Sequence, residues 1–156
     1  MEIRFRYPLF VVLLVASAML LGACGSDTAG DDPKKTVISM FGAMEKDDKA
    51  ALAHILDLAE LMRSSDSDYS TQTDNPRTFT SPQQILDDLT GDGKTKTNWF
   101  RLQRIVNKAQ IMGETATVEV TFVDKAASKG YRTKFGLHLK QGKWRIYTFK
   151  TEIQGE

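Results

Sequence analysis

The chain has 156 residues, 21 Lys+Arg against 20 Asp+Glu, a formal net charge of +1 and a mean hydropathy of −0.33. That length suits one compact domain rather than two. The near-neutral balance supplies no basic field for nucleic acid, and the single cysteine leaves no internal disulfide.

At the N-terminus, Arg4 and Arg6 form a short basic region, and Pro8 to Leu21 is an almost unbroken apolar run. This is the layout of an export signal, and the run is shorter than the roughly 20 apolar residues a permanent span requires. Small Gly22 and Ala23 then precede Cys24. The alternative to lipidation is a conventional signal peptide with a cysteine nearby. Leu21-Gly22-Ala23-Cys24 resembles the lipobox of bacterial lipoproteins. That resemblance implies cleavage between Ala23 and Cys24, a diacylglyceryl group on the Cys24 thiol, and a lipid bilayer as partner through acylated Cys24. It places the protein in the bacterial cell envelope, on a periplasm-facing membrane surface, and Gly25 after the cysteine implies the outer membrane in a Gram-negative cell. Residues 1–23 are then signal peptide, 24–32 a lipidated tether and 33–156 the domain. Without Arg4, Arg6 and Glu2 the mature chain carries 19 basic and 19 acidic residues. These are unevenly placed: 24–93 carries 14 acidic and 6 basic residues, 94–156 carries 5 acidic and 13 basic. An acidic helical layer against a basic sheet accounts for this, as does a basic sheet face that meets an anionic surface.

Asp32-Pro33 predicts an N-cap and a first-turn proline, opening a helix with Val37, Ile38, Phe41 and Met44 as its apolar stripe. Asp47-Asp48 interrupts it, and one of the two caps a second helix. In that helix Leu52, Ile55, Leu56, Ala59 and Met62 form the stripe, with Asp57 and Glu60 outside. The polar segment from Ser64 to Thr80 reads as a long loop, either a lid or a mobile connection. Ser81-Pro82-Gln83-Gln84 is a capping box, and Ile85, Leu86 and Leu89 follow it to a stop at Gly91 and Gly93. Beyond Lys94 the pattern predicts strands: a long one from Phe100 to Ile111, one on Val118-Val120-Phe122 and one on Phe135-Leu137-Leu139. A hairpin turn at Gln141-Gly142 leads into a last strand from Trp144 to Phe149. On that strand Trp144 and Ile146 are expected on one side, Tyr147 and Phe149 on the other. Helices followed by an antiparallel meander predict an α+β fold, with helices packed on one face of a curved antiparallel sheet.

The opening helix Pro33…Phe41…Met44, the acidic break at Asp47-Asp48 and the closing Gly142-Lys143-Trp144-Arg145-Ile146 resemble the cystatin-like, nuclear transport factor 2-like superfamily. Within it they resemble small bacterial lipoproteins of unknown function, over about Pro33 to Phe149. The resemblance implies a cone with a pocket between helices and concave sheet, and a superfamily that hosts enzymes, ligand binders and scaffolds alike.

His54 and Asp57, at i and i+3, form either a surface pair on a helix flank or a general acid–base pair, and such pairs act in some enzymes of that superfamily. His138, on a strand, is either a partly exposed sheet residue or a pocket base. Asp88, Thr90, Asp92 and Gly93 imitate the start of a calcium loop, but Trp99 stands where the bidentate Glu belongs. Gly91-Asp92-Gly93-Lys94-Thr95 lacks the glycine spacing of a phosphate loop. Two histidines make a poor zinc site, so neither a metal nor another cofactor is expected. The aromatic residues are first a core. A minority reading gives Phe122, Tyr131, Tyr147 and Phe149 to a ligand pocket or sheet-face interface. The expectation is therefore a membrane-anchored, non-catalytic envelope protein that binds a small apolar ligand or another envelope protein. The alternatives are a lyase, isomerase or hydrolase using His54/Asp57 or His138, and a module that self-associates as a homodimer through its sheet face.

Overall fold

In the computed structural model, which describes residues 30–63 and 79–153, five short helices lie against a four-stranded sheet. The helices are α1 (Pro33–Glu45), α2 (Lys49–Ile55), α3 (Leu58–Arg63), α4 (Pro82–Asp88) and α5 (Lys94–Phe100). The strands β1 (Gln103–Met112), β2 (Thr115–Asp124), β3 (Lys129–Lys140) and β4 (Lys143–Ile153) pair antiparallel in the order β1-β2-β3-β4. This is an α+β cone in which the helices cover one face of a curved sheet.

Capping chemistry sets the helix starts. The Asp32 carboxylate accepts from the Lys35 N–H at 2.8 Å, and Pro33 occupies the first turn. Thr36, Val37, Met40, Phe41 and Met44 then fall on the buried face, while Ile38 is turned outward. Asp47 adopts φ 55, Asp48 accepts from the Ala51 N–H at 2.9 Å, and α2 begins. Ser81 caps α4 in the same way through the Gln84 N–H.

Three expectations are corrected. The second helix is not continuous. Leu56 is extended and forms a parallel bridge with Ile146, and α3 starts afresh at Leu58. Lys94 to Phe100 is helix α5, not the lead-in to a strand, because Thr95 and Trp99 at i and i+4 bury the same helical face. A Cβ on Gly93 would lie 2.3 Å from the Asp88 carbonyl oxygen, so the chain turns tightly from α4 into α5 only with glycine there. Lastly, β4 carries a bulge. Gly136 pairs with Thr148 and Leu137 with Ile146, which leaves Tyr147 as the extra residue and returns Phe149 to the same side as Ile146.

Between helices and sheet the core is built from rings. Trp99 stacks on Phe122 with centroids 5.4 Å apart and meets Phe41, Phe135 and Phe149 at 5.7 to 5.8 Å, tilted or edge-on. The Arg104 guanidinium lies 4.0 Å from the Phe100 ring centroid and 5.2 Å from that of Phe41, so a cation closes the open side of the cluster.

Candidate functional site

The break between α2 and α3 brings the chemistry together. Because Leu56 is extended and bridges the edge of β4, the side chains of Leu56 and Asp57 point to opposite sides. Leu56 enters the core, and the Asp57 N–H donates to the Ile146 carbonyl at 2.8 Å. Asp57 then caps α3, its Oδ1 accepting from the Glu60 N–H at 3.3 Å. Its Oδ2 takes His138 Nε2 at 3.0 Å and Lys140 Nζ at 2.9 Å, both from β3. The Asp57 side chain is buried, with 7 % of its surface exposed.

Burial by itself raises the Asp57 pKa. The Lys140 hydrogen bond, the Glu60 N–H and the electrostatic influence of Lys140 and His138 outweigh it, so the carboxyl sits below its ordinary value. An ionised carboxylate only accepts hydrogen bonds, so the His138 Nε2 carries the proton it donates. The imidazole is also covered on one side by Tyr147, with ring centroids 5.1 Å apart and planes at 27°. The bulge projects that tyrosine, and Gly136 leaves room for it: a Cβ there would lie 3.1 Å from Tyr147 Cζ.

Next to this cluster a cleft of about 330 Å³ opens between the α2–α3 break and the β3–β4 turn, lined by Ala53, Leu56, Asp57, Leu58, Lys140, Gln141 and Arg145. Gln141 and Gly142 hold φ 54 and 73, the left-handed pair of a type I′ hairpin, which carries Lys140 and Arg145 to the rim. Lys140 is matched by Asp57, whereas Arg145 has no ion-pair partner among the described residues. His138 is not part of the lining.

The histidine candidates are thus redistributed. His54 is exposed on α2 and is not the partner of Asp57, because the helix ends between them. Asp57 and His138, considered apart in the sequence, meet across 81 positions. Lys140 and Arg145 were missed. Their only signal was their place on either side of the Gln141-Gly142 turn. Of the aromatic candidates, Phe122 and Phe149 are fully buried within the ring core, Tyr131 is almost fully buried in the hydrophobic core, and Tyr147 lies on the opposite sheet face over His138. The calcium-like stretch serves local structure instead: Asp88 accepts from the Thr95 hydroxyl and N–H, and Trp99 is core. Ala23, Cys24 and the loop positions 64–78 lie outside the described residues.

No family model matches the chain, and no curated protein is similar to it. Among solved structures, the chain is similar to a protein of unknown function from Silicibacter pomeroyi DSS-3, described as NTF-2 like, at 15% identity and a TM-score of 0.45, over 76% of this chain and 90% of that one. A second NTF2-like protein of unknown function, from Shewanella baltica OS155, gives 15% identity and a TM-score of 0.46 over 78% and 90%. A DUF4783 family protein from Bacteroides ovatus ATCC 8483 gives 13% identity and a TM-score of 0.43 over 75% and 94%.

Proposed function

We propose that the protein is an envelope lipoprotein, anchored through acylated Cys24, whose domain binds an anionic group without turning it over. The observation that carries the binding reading is the split of charges at the cleft. Its carboxylate is paired with Lys140 and hydrogen-bonded to His138, while Arg145 faces the opening without a counter-charge. A guanidinium in that position suits a carboxylate or phosphate, which it grips bidentately. An apolar ligand is less well served, because the space between helices and sheet is filled by Trp99 and the phenylalanines.

The arrangement also argues against acid–base work. A general base operates best with a pKa near the working pH, and Asp57 is held below its ordinary value. His138 lies outside the lining. One feature favours the catalytic reading: Asp57 orients the His138 ring as a carboxylate orients a catalytic imidazole. His138→Gln, which still donates to Asp57, separates the two, since binding survives it and imidazole catalysis does not.

The test titrates the mature chain with inorganic phosphate and with succinate while amide resonances are followed. Shifts at Leu58, Gln141 and Arg145 are expected, and their absence in Arg145→Gln. Unmoved resonances in the unsubstituted chain would remove the anion site. For the anchor, Cys24→Ser should abolish incorporation of labelled fatty acid, and continued labelling contradicts it.

A further inference from the structure

The two hairpin turns that join β1 to β2 and β3 to β4 lie at the same end of the sheet, since Thr115 pairs with His138. They are bonded to each other, the Leu139 N–H donating to the Glu114 carbonyl at 2.8 Å. This end carries exposed apolar side chains, with Ile111 and Met112 on opposite faces at the end of β1: Met112 is 79% exposed, Ile111 56% and Leu139, on β3, 36%. Apolar tips of this kind, set among charged side chains, mark contact surfaces.

The N-terminal segment joins the domain at the same end. The Gly30 carbonyl accepts from the Trp144 N–H at 2.8 Å, and Asp31 pairs with Lys143 at 2.7 Å. The chain therefore enters beside the β3–β4 turn. Five residues separate Cys24 from Gly30, a reach of at most about 20 Å. An acyl group on Cys24 confines this end of the domain, rather than the β2–β3 end, to the bilayer surface.

We propose that the end of the sheet bearing the β1–β2 and β3–β4 turns is a bilayer-docking edge, in which Ile111 and Met112 enter the headgroup region and hold the anchored domain in one orientation. The inference rests on the acylated Cys24 of the reading above. The apolar tip, not charge, sets the docking. Lys140 and Lys143 are already matched by Asp57 and Asp31, and Arg145 lines the cleft described above. Short apolar segments bind at the interface through buried area, and one added contact is enough when the anchor has already brought the surface close.

The experiment uses the mature acylated chain in phosphatidylcholine vesicles that contain headgroup-nitroxide lipid. Because the sole native thiol is occupied by lipid, a fluorophore can be placed on Glu114→Cys or, at the opposite end, on Ala127→Cys. The expected result is several-fold stronger quenching at 114 than at 127, unchanged in 1 M salt. The double variant Ile111→Ser, Met112→Ser should bring the two labels to parity while the protein still floats with the vesicles. Flotation with equal quenching in the unsubstituted chain overturns docking and leaves the anchor standing. Failure to float overturns the anchor and the docking with it. Asymmetry that collapses in salt, or that survives the double variant, overturns the role of the apolar tip. Energy transfer between labels on separate copies that persists on dilution in lipid assigns the edge to a second copy of the chain instead.

Discussion

Asp57 donates its backbone N–H to the Ile146 carbonyl at 2.8 Å, and through that bond the segment between α2 and α3 adds a single parallel bridge to the edge of β4. Its side chain then ties the same segment to β3 by way of His138 and Lys140. One residue thus caps a helix, covers a sheet edge and orders one wall of the cleft.

Asp57→Ala removes a cap, worth about 1 kcal/mol, and hydrogen bonds to charged donors, worth about 1.5–3 kcal/mol, with Lys140 free to recover part of that in water. A loss of about 2–3 kcal/mol is expected from urea denaturation. Asp57→Asn keeps the cap and should lose less than half as much. A loss below about 0.5 kcal/mol for Asp57→Ala would contradict the latch.

Acid should weaken the same latch. The Asp57 carboxyl is below its ordinary value of 3.8 in the folded state, so the folded protein binds fewer protons than the unfolded chain over that interval. Its contribution is complete above the unfolded value and declines as pH falls below 3.8 through the folded one. Asp47, hydrogen-bonded by Lys96 and the Gly91 N–H, and Asp87, hydrogen-bonded by Lys49 and Gln83, shift in the same direction. Both are exposed, so 1 M salt should flatten their share and leave that of Asp57. Unfolding midpoints between pH 5 and 2 for the unsubstituted chain and Asp57→Asn decide this. Parallel curves would show that Asp57 is not linked to folding.

Much of the frame was legible because it is local. Asp32-Pro33 and Ser81-Pro82 announce helix starts through their own caps, Val118-Val120-Phe122 alternates as a half-buried strand must, and Gln141-Gly142 is a left-handed turn pair. What was illegible depends on distant contacts. The apolar stripe runs straight through Leu56, and only the edge of β4 pulls it out of the helix. Even so, Asp57 with Glu60 three residues later has the form of a capping box. The bulge at Tyr147 reverses the facing of Phe149, which strict alternation cannot show. Asp57 and His138 meet only once the sheet has folded.

Helix α5 offers a test of the ring core. Trp99→Ala empties a fully buried site and should cost about 3–5 kcal/mol. Trp99→Phe retains a ring against Phe122 and removes an indole N–H that has no acceptor among the described residues, so about 1–2 kcal/mol is expected. Equal losses in denaturant titrations of the two variants would mean that the ring contacts carry little of the stability.

Gly136→Ala should separate the Tyr147–His138 stack from the Asp57–His138 bond. The added methyl would lie 2.5 Å from Thr148 Cγ2, which must turn away, and 3.1 Å from Tyr147 Cζ, so the tyrosine, half-exposed and at a bulge, is pushed aside as well. Crowding of this kind costs about 1–3 kcal/mol. With the ring displaced, the His138 proton resonances should lose the upfield ring-current shift imposed by a ring 5.1 Å away. The His138 contact to Asp57 is made at the ring edge, through Nε2, rather than on the stacked face, and should remain as a slowly exchanging N–H. Loss of both signals would mean that Tyr147 holds the histidine in place. Loss of the ring-current shift alone would identify Asp57 as the group that does, and would make the tyrosine a cover over it.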